Sequence, residues 1–447
     1  MPRPDYSPLF PGLNLSNIGN GLLRRLSAVT LLLGLASVLP GCGGGDAPQQ
    51  GKASLPTTSI AAPNADTTAT AKATTDDDDD DDVIPEKPGE ATTASGVEEK
   101  EPEAGSVEAA LRDMTRLRLA PPPETEDIEK LKADRKTRNE KIVALAQDVI
   151  TRTHDLPDQE RLFNAAVHHL MEARVQLALA GSEAAVESLY GDAGALFKRD
   201  PKSRAAAEGA YALVNLAYSQ ARQKNPPDEH WLKEFVRQAR HYATAFPAEE
   251  LKAVPLLFTA ARSCELNGLT DLAADAYSVI QNSFPRSPFA SRAVGISRRL
   301  ALPGQIVTLS GPKLGGEMVT TEDLLGQTVV VVFWSTEAQP FRQILPSLVN
   351  VQKQFAKSGV TFVGVNFDSD PSKVSPFVLE QKLAWPQIVF ENESQRGWNN
   401  PISTFYGIMD IPAIWVIDGQ GQVVSTNVSA TDLPAILAQQ TRTATAQ

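Results

Sequence analysis

The stretch FWSTEAQPFRQILPSL, residues 333–348, decides the fold of this chain. Four valines, Val329 to Val332, run into it, and a long amphipathic pattern follows. A short continuous run of β-branched residues is the mark of a strand covered on both faces, and apolar residues at helical spacing mark the helix beyond it. The stretch therefore reads as the end of a buried strand turning into a helix.

Outward from that turn, the last 147 residues, 301–447, show a regular alternation. IVTL reads as a strand, TVVVVFWST as a buried strand, PFRQILPSLVNVQKQFAKSG as a helix and VTFVGVNFD as a strand. SKVSPFVLEQKLAW reads as a helix, AIWVID and QVVSTNVS as strands joined by GQGQ, and TDLPAILAQQ as a closing helix. Strands alternating with helices, then a hairpin, predict an α/β domain with helices on both faces of one sheet.

Across residues 302–440 the chain resembles the thioredoxin fold, and within it the envelope thioredoxin-like proteins of the cytochrome-maturation type and the broader peroxiredoxin-related group. In that family a strand ending in Phe-Trp-Ala-Thr leads to Trp-Cys-Gly-Pro-Cys-Arg, with a proline four residues after the arginine. Here the frame is Phe333, Trp334, Ser335, Thr336, Glu337, Ala338, Gln339, Pro340, Phe341 and Arg342, with Pro346 in place. The resemblance also puts Ile411-Pro412 at the family's cis-proline and Asp418-Gly-Gln-Gly421 at the turn of the closing hairpin.

The two cysteine positions of that frame hold Ala338 and Phe341. Thiol–disulfide exchange needs a thiolate of depressed pKa and a second sulfur to resolve the mixed disulfide. Neither residue supplies one. After residue 264 the sequence contains no Cys and no His, so nucleophilic and zinc chemistry lack their usual groups as well. No catalytic residue, metal or cofactor is assigned. A groove bounded by Trp334, Pro340, Phe341, Ile411 and Pro412 remains, more apolar than its redox counterpart and suited to peptide binding. The alternatives are a thiol–disulfide oxidoreductase acting through Cys264, and an envelope scaffold without a specific ligand.

Residues 106–300 read as helical throughout. RLFNAAVHHLMEARVQLALAG, AAAEGAYALVNLAYSQARQ, LKEFVRQARHYATAFP and LAADAYSVIQNSFP carry apolar residues at helical spacing and stop at Gly or Pro. Pro201, Pro247 and Pro285 recur at intervals of 46 and 38 residues. The last unit resembles a tetratricopeptide repeat, with Ala261, Ala273 and Tyr277 at the positions of two small residues and an aromatic. The expectation is a helical solenoid of roughly three hairpins that binds protein on a concave face. All five histidines, His154, His168, His169, His230 and His241, fall here. Adjacent His168 and His169 diverge by about 100° on a helix and do not form a metal pair by themselves. Cys264 reads as a small buried apolar side chain.

Before the helices lie two further segments. Arg24 and Arg25 precede the apolar run LSAVTLLLGLASVLPG, which ends at Cys42. Positive charge, apolar core, small residue and cysteine in this order resemble a bacterial lipoprotein signal. That assigns residues 1–41 to a signal peptide and Cys42 to lipid attachment, which anchors the chain to an envelope membrane facing the periplasm or exterior. Residues 42–105 are rich in Ala, Thr, Ser and Pro and hold seven consecutive aspartates, Asp76 to Asp82. Such a composition cannot bury enough apolar surface to offset chain entropy, which predicts a disordered acidic tether. A formal net charge of −12 without a Lys/Arg cluster argues against nucleic acid, so the expected partners are envelope proteins or peptides.

Overall fold

The computed structural model describes residues 101–445. The expected signal peptide, Cys42 and the aspartate run lie outside these residues.

The first part of the described chain is helical: α1 (Val107–Leu119), α2 (Ile128–Thr153), α3 (Glu160–Leu179), α4 (Glu183–Arg199), α5 (Arg204–Ala221), α6 (Glu229–Ala245), α7 (Glu250–Leu266), α8 (Thr270–Ser283) and α9 (Pro288–Leu300). Their starts follow from local chemistry. The side chains of Ser106, Asp127, Ser182, Ser203, Asp228 and Ser287 each accept a backbone N–H of the first turn. Gly181 and Gly268, with φ of 94° and 77°, close α3 and α7 in the left-handed conformation that favours glycine. Pro201, Pro247 and Pro285 stand in the turns after α4, α6 and α8. Each helix packs on the next, and contacts also join α1 to α3, α3 to α5, α6 to α8 and α7 to α9.

The remainder is a mixed α/β domain: β1 (Ser310–Pro312), β2 (Met318–Thr320), β3 (Thr328–Trp334), α10 (Gln339–Phe355), β4 (Val360–Asn366), α11 (Val374–Glu380), β5 (Gln387–Ile388), α12 (Pro401–Tyr406), β6 (Ala413–Ile417), β7 (Val423–Ser425) and α13 (Leu433–Thr445). Strand order in the main sheet is β5-β4-β3-β6-β7, with β3 parallel to β4, β4 parallel to β5, and β6 antiparallel to both β3 and β7. The valine run is explained by burial on both faces. Val330, Val332 and Trp334 face a core built with α10, α11 and α13, while Val329, Val331 and Phe333 face a second core that includes Ile402 and Tyr406 of α12.

IVTL, residues 306–309, is not a regular strand. Ile306 and Val307 run beside the hairpin turn, with Val307 N donating to Gly421 O at 3.0 Å, and β1 begins only at Ser310. The chain itself occupies both sheet edges. Gly304 N donates to Val423 O and Val423 N to Gln305 O on the β7 side; Val389 N donates to Pro312 O and Leu314 N to Gln387 O on the β5 side. Strand addition at an edge is therefore obstructed.

Candidate functional site

The loop between β3 and α10 is held from below by one carboxylate. Asp368, 6% exposed, accepts the Ser335 hydroxyl at 2.7 Å, the Thr336 N–H at 3.0 Å, the Thr336 hydroxyl at 2.8 Å and the Asn366 amide at 2.6 Å. Asn400, fully buried, donates to Asn366 O and accepts from the first turn of α12. Above this network Arg342 Nε donates to Thr336 O at 2.6 Å, and Lys373 pairs with Glu337 at 2.5 Å. The Ser335–Thr336 turn is thus fixed by charge-assisted bonds from Asp368, just beyond the end of β4, and from Arg342 of α10.

Ala338 is the N-cap of α10 and offers no side-chain cap. Gln339 and Pro340 are exposed, and Ala338 is half-buried. Phe341 points the other way. It is 1% exposed and packs on Trp334, also 1% exposed, with ring centroids 5.0 Å apart; Phe377 lies 5.5 Å from Trp334. Trp334 Nε1 donates to Gln387 Oε1 at 2.9 Å. A side chain at Gly364 is excluded there, because a Cβ would stand 2.7 Å from Trp334 Nε1. Trp334 and Phe341 are accordingly core residues beneath the loop and not walls of an open groove. The residues of the expected groove that do reach the surface are Pro340, Ile411 and Pro412, the last two half-buried.

The Ile411–Pro412 peptide is cis, as the resemblance implied. Among the described residues no main-chain hydrogen bond engages the N–H or C=O of Ile411. The adjoining β6 and β7 meet at a turn in which Asp418 Oδ1 accepts the N–H groups of Gln420 and Gln422, both at 2.9 Å. At the opposite end of the sheet from that turn, the end that carries Ile411, Trp398 is 49% exposed and stacks edge-on against Phe367 at 5.1 Å. Asp368, Asn366 and Trp398 are not among the site residues expected from the sequence. The polar alternation Asn366-Phe367-Asp368 at the close of an apolar strand is the signal that marks the first two.

Cys264 is fully buried in the helical core, its thiol 3.7 Å from Leu232 O, and burial pushes its pKa up to about 11. His168 hydrogen-bonds Glu208 at 2.7 Å and lies 3.5 Å from Glu172. His169 is partly buried beside Arg118, and burial first, then that guanidinium, lowers its pKa to about 4. These histidines border a cleft of about 570 Å³ with Asn164, Arg161, Arg204 and Glu208. A shallower, more apolar cleft of about 660 Å³ lies between α1 and α2, with Leu117, Ala144 and Leu145 in its lining. Among the described residues no group of three or more His, Cys, Asp or Glu is placed to hold a metal, and no helix is long and apolar enough to cross a membrane.

Comparison with known proteins agrees with the geometry. A family model described as thioredoxin-like (Thioredoxin_8) matches residues 326–423. The thioredoxin-like protein YneN of Bacillus subtilis (strain 168) is 27% identical over 143 residues, 31% of this chain and 76% of the relative. The thiol-disulfide oxidoreductase ResA of Halalkalibacterium halodurans is 27% identical over 131 residues, 29% of this chain and 70% of that protein. Among solved structures, the thioredoxin domain of a thiol-disulfide oxidoreductase from Bacteroides vulgatus aligns at 24% identity and a TM-score of 0.28, over 31% of this chain and 96% of that domain. The C-terminal α/β domain has a thioredoxin-like fold, and its relatives include thiol-disulfide oxidoreductases.

Proposed function

We propose that this chain is a lipid-anchored envelope protein whose thioredoxin-like domain does not exchange disulfides and instead binds extended polypeptide at the end of the sheet. One observation carries the reading. At the start of α10, where the family's frame has its two cysteines, stand Ala338 and a Phe341 ring buried against Trp334. The α10 terminus keeps its geometry, but Ala338 and Phe341 carry no thiol or other nucleophile.

The binding half of the reading rests on what stays available there. The unengaged N–H and C=O of Ile411, the exposed Gln339 and Pro340, and the indole of Trp398 are a main-chain pairing point beside apolar surface. The similarity to thiol-disulfide oxidoreductases favours a second reading, a redox role through Cys264. A thiol with no exposed surface and a raised pKa is poorly suited to it.

For the helical region we infer a tetratricopeptide-like solenoid that binds protein. The spacing of the prolines supports it, as does the complete burial of Ala261, Ala273 and Tyr277 where α7 and α8 meet. The signal-like sequence around Cys42 supports the anchor, with diacylation supplying the membrane affinity that one chain alone lacks.

The test is a phage-displayed library of random extended peptides selected on the purified chain. Peptides recovered from wild type should lose affinity for Gln339→Arg and for Trp398→Ala. Peptides that bind both variants as well as wild type place recognition elsewhere and overturn the assignment.

A further inference from the structure

The helical region and the thioredoxin-like domain meet on the segment that leads into the cis-proline. Helix α9 packs on α12 so closely that no side chain fits between them: a Cβ on Gly295 would lie 2.7 Å from Gly407 N, and one on Gly407 would lie 2.8 Å from Gly295 C. Gly407 itself has φ of 58° and ends α12.

Around this contact three arginines of the helical region reach across. Arg298 donates to Phe405 O at 2.5 Å and stacks its guanidinium 3.7 Å from the Phe405 ring centre. Arg299, 7% exposed, donates to Tyr406 O at 3.2 Å. Arg262 pairs with the Asp410 carboxylate. Met409, between these points, packs its side chain against the helical core.

Two of the three arginines are organised by one group. The Glu265 carboxylate, 8% exposed, is 2.7 Å from Arg299 Nη2 and 2.5 Å from Arg262 Nη1, and accepts the Tyr277 hydroxyl at 3.1 Å. Burial opposes its ionisation, but the two guanidinium groups outweigh it and hold the carboxyl below its usual range. A buried carboxylate shared by two cations is costly unless every partner is fixed, so this cluster is specific in geometry.

We infer that Arg262 and Arg299, set by Glu265, are positioning residues for the cis-proline loop: the helical region fixes where Ile411 presents its main chain. Phe405, Tyr406, Gly407, Met409 and Asp410 are all engaged by the helical region, whereas Ile411, the next residue, packs its side chain on the second core of the α/β domain and, among the described residues, has no main-chain hydrogen bond. The inference deepens the binding function proposed above and rests on it for its consequence, but the positioning itself is measurable without any ligand.

The full chain labelled with ¹³C-methyl methionine reports it directly, since the sequence holds only five methionines and Met409 is at the contact. Asp410→Ala should move the Met409 methyl signal toward its random-coil shift and lower its order, while Met114 and Met171, in α1 and α3, stay unchanged. Asp410→Glu should restore the Met409 signal. Arg299→Gln, which removes a buried partner, should have the larger effect of the two.

For a peptide selected on wild type, Asp410→Ala should weaken Kd about threefold to fivefold, the size expected for one partly exposed ion pair, and Asp410→Glu should recover it. If the Met409 signal is unmoved in Asp410→Ala and Arg299→Gln, the positioning is refuted whatever the peptide does. A moved Met409 signal with unchanged peptide affinity upholds the positioning and refutes binding at Ile411.

Discussion

Replacing Phe341 by alanine separates a core residue from a groove wall. The ring is 1% exposed and touches Trp334 at a centroid distance of 5.0 Å and Phe377 at 6.4 Å. Removing about 150 Å² of buried ring surface at about 25 cal/mol per Å² costs about 4 kcal/mol, and measured losses for buried Phe→Ala run about 3–5 kcal/mol. Phe341 sits in the first turn of α10, where the chain end relaxes more readily than mid-helix, so the expected loss is toward the low end, about 3 kcal/mol. Pro340→Ala, one residue earlier and exposed, should change stability by less than about 0.5 kcal/mol. Urea unfolding followed by tryptophan fluorescence reads mainly the α/β domain, which holds four of the five tryptophans, with far-ultraviolet circular dichroism following the helices in parallel. A Phe341→Ala loss below about 1 kcal/mol refutes the packing argument and returns the ring to the surface.

Ala338→Cys with Phe341→Cys should oxidise to a disulfide within the loop, seen by mass spectrometry as two thiols protected from alkylation; thiols that remain free together place these positions more than one helical turn apart. That variant should reduce insulin weakly, because Glu337 beside the new thiol opposes its ionisation, and adding Glu337→Trp should raise the rate. Below pH of about 6.5 the unfolded chain protonates His169, whereas the folded chain resists until about 4, so stability falls as pH drops through that window. His169→Gln should flatten the slope there in urea titrations at stepped pH. Cys42→Ser should release the chain from the membrane pellet and abolish palmitate labelling.

The frame around the β3–α10 turn was legible because it is local. Strand, turn and helix follow from a valine run, a proline and an apolar period within 25 residues. The same period held a further clue about Phe341: it stands in one stripe with Leu345, Leu348, Val351 and Phe355, all buried, so its ring belongs to the core face of α10. Judging Phe341 by its place in a redox loop instead put it at the surface. IVTL alternates correctly, with Val307 and Leu309 buried and Ile306 and Thr308 exposed, yet its partner is a turn and not a strand, and alternation alone does not specify a partner. The Asp368 cradle and the Glu265 cluster join residues 32 to 34 positions apart in sequence. The alternation Asn366-Phe367-Asp368 marks Asp368 as a candidate, but no short-range pattern names its distant partners Ser335 and Thr336, or joins Glu265 to Arg299.

With Ala338 and Phe341 at the helix start, the thioredoxin-like domain is expected to perform no thiol chemistry. Insulin reduction by the purified chain, with dithiothreitol as electron donor, is the test. The expected rate equals that of dithiothreitol alone, both for wild type and for Cys264→Ser. A wild-type rate above that baseline which disappears in Cys264→Ser contradicts it, and makes the buried thiol of the helical core the active group.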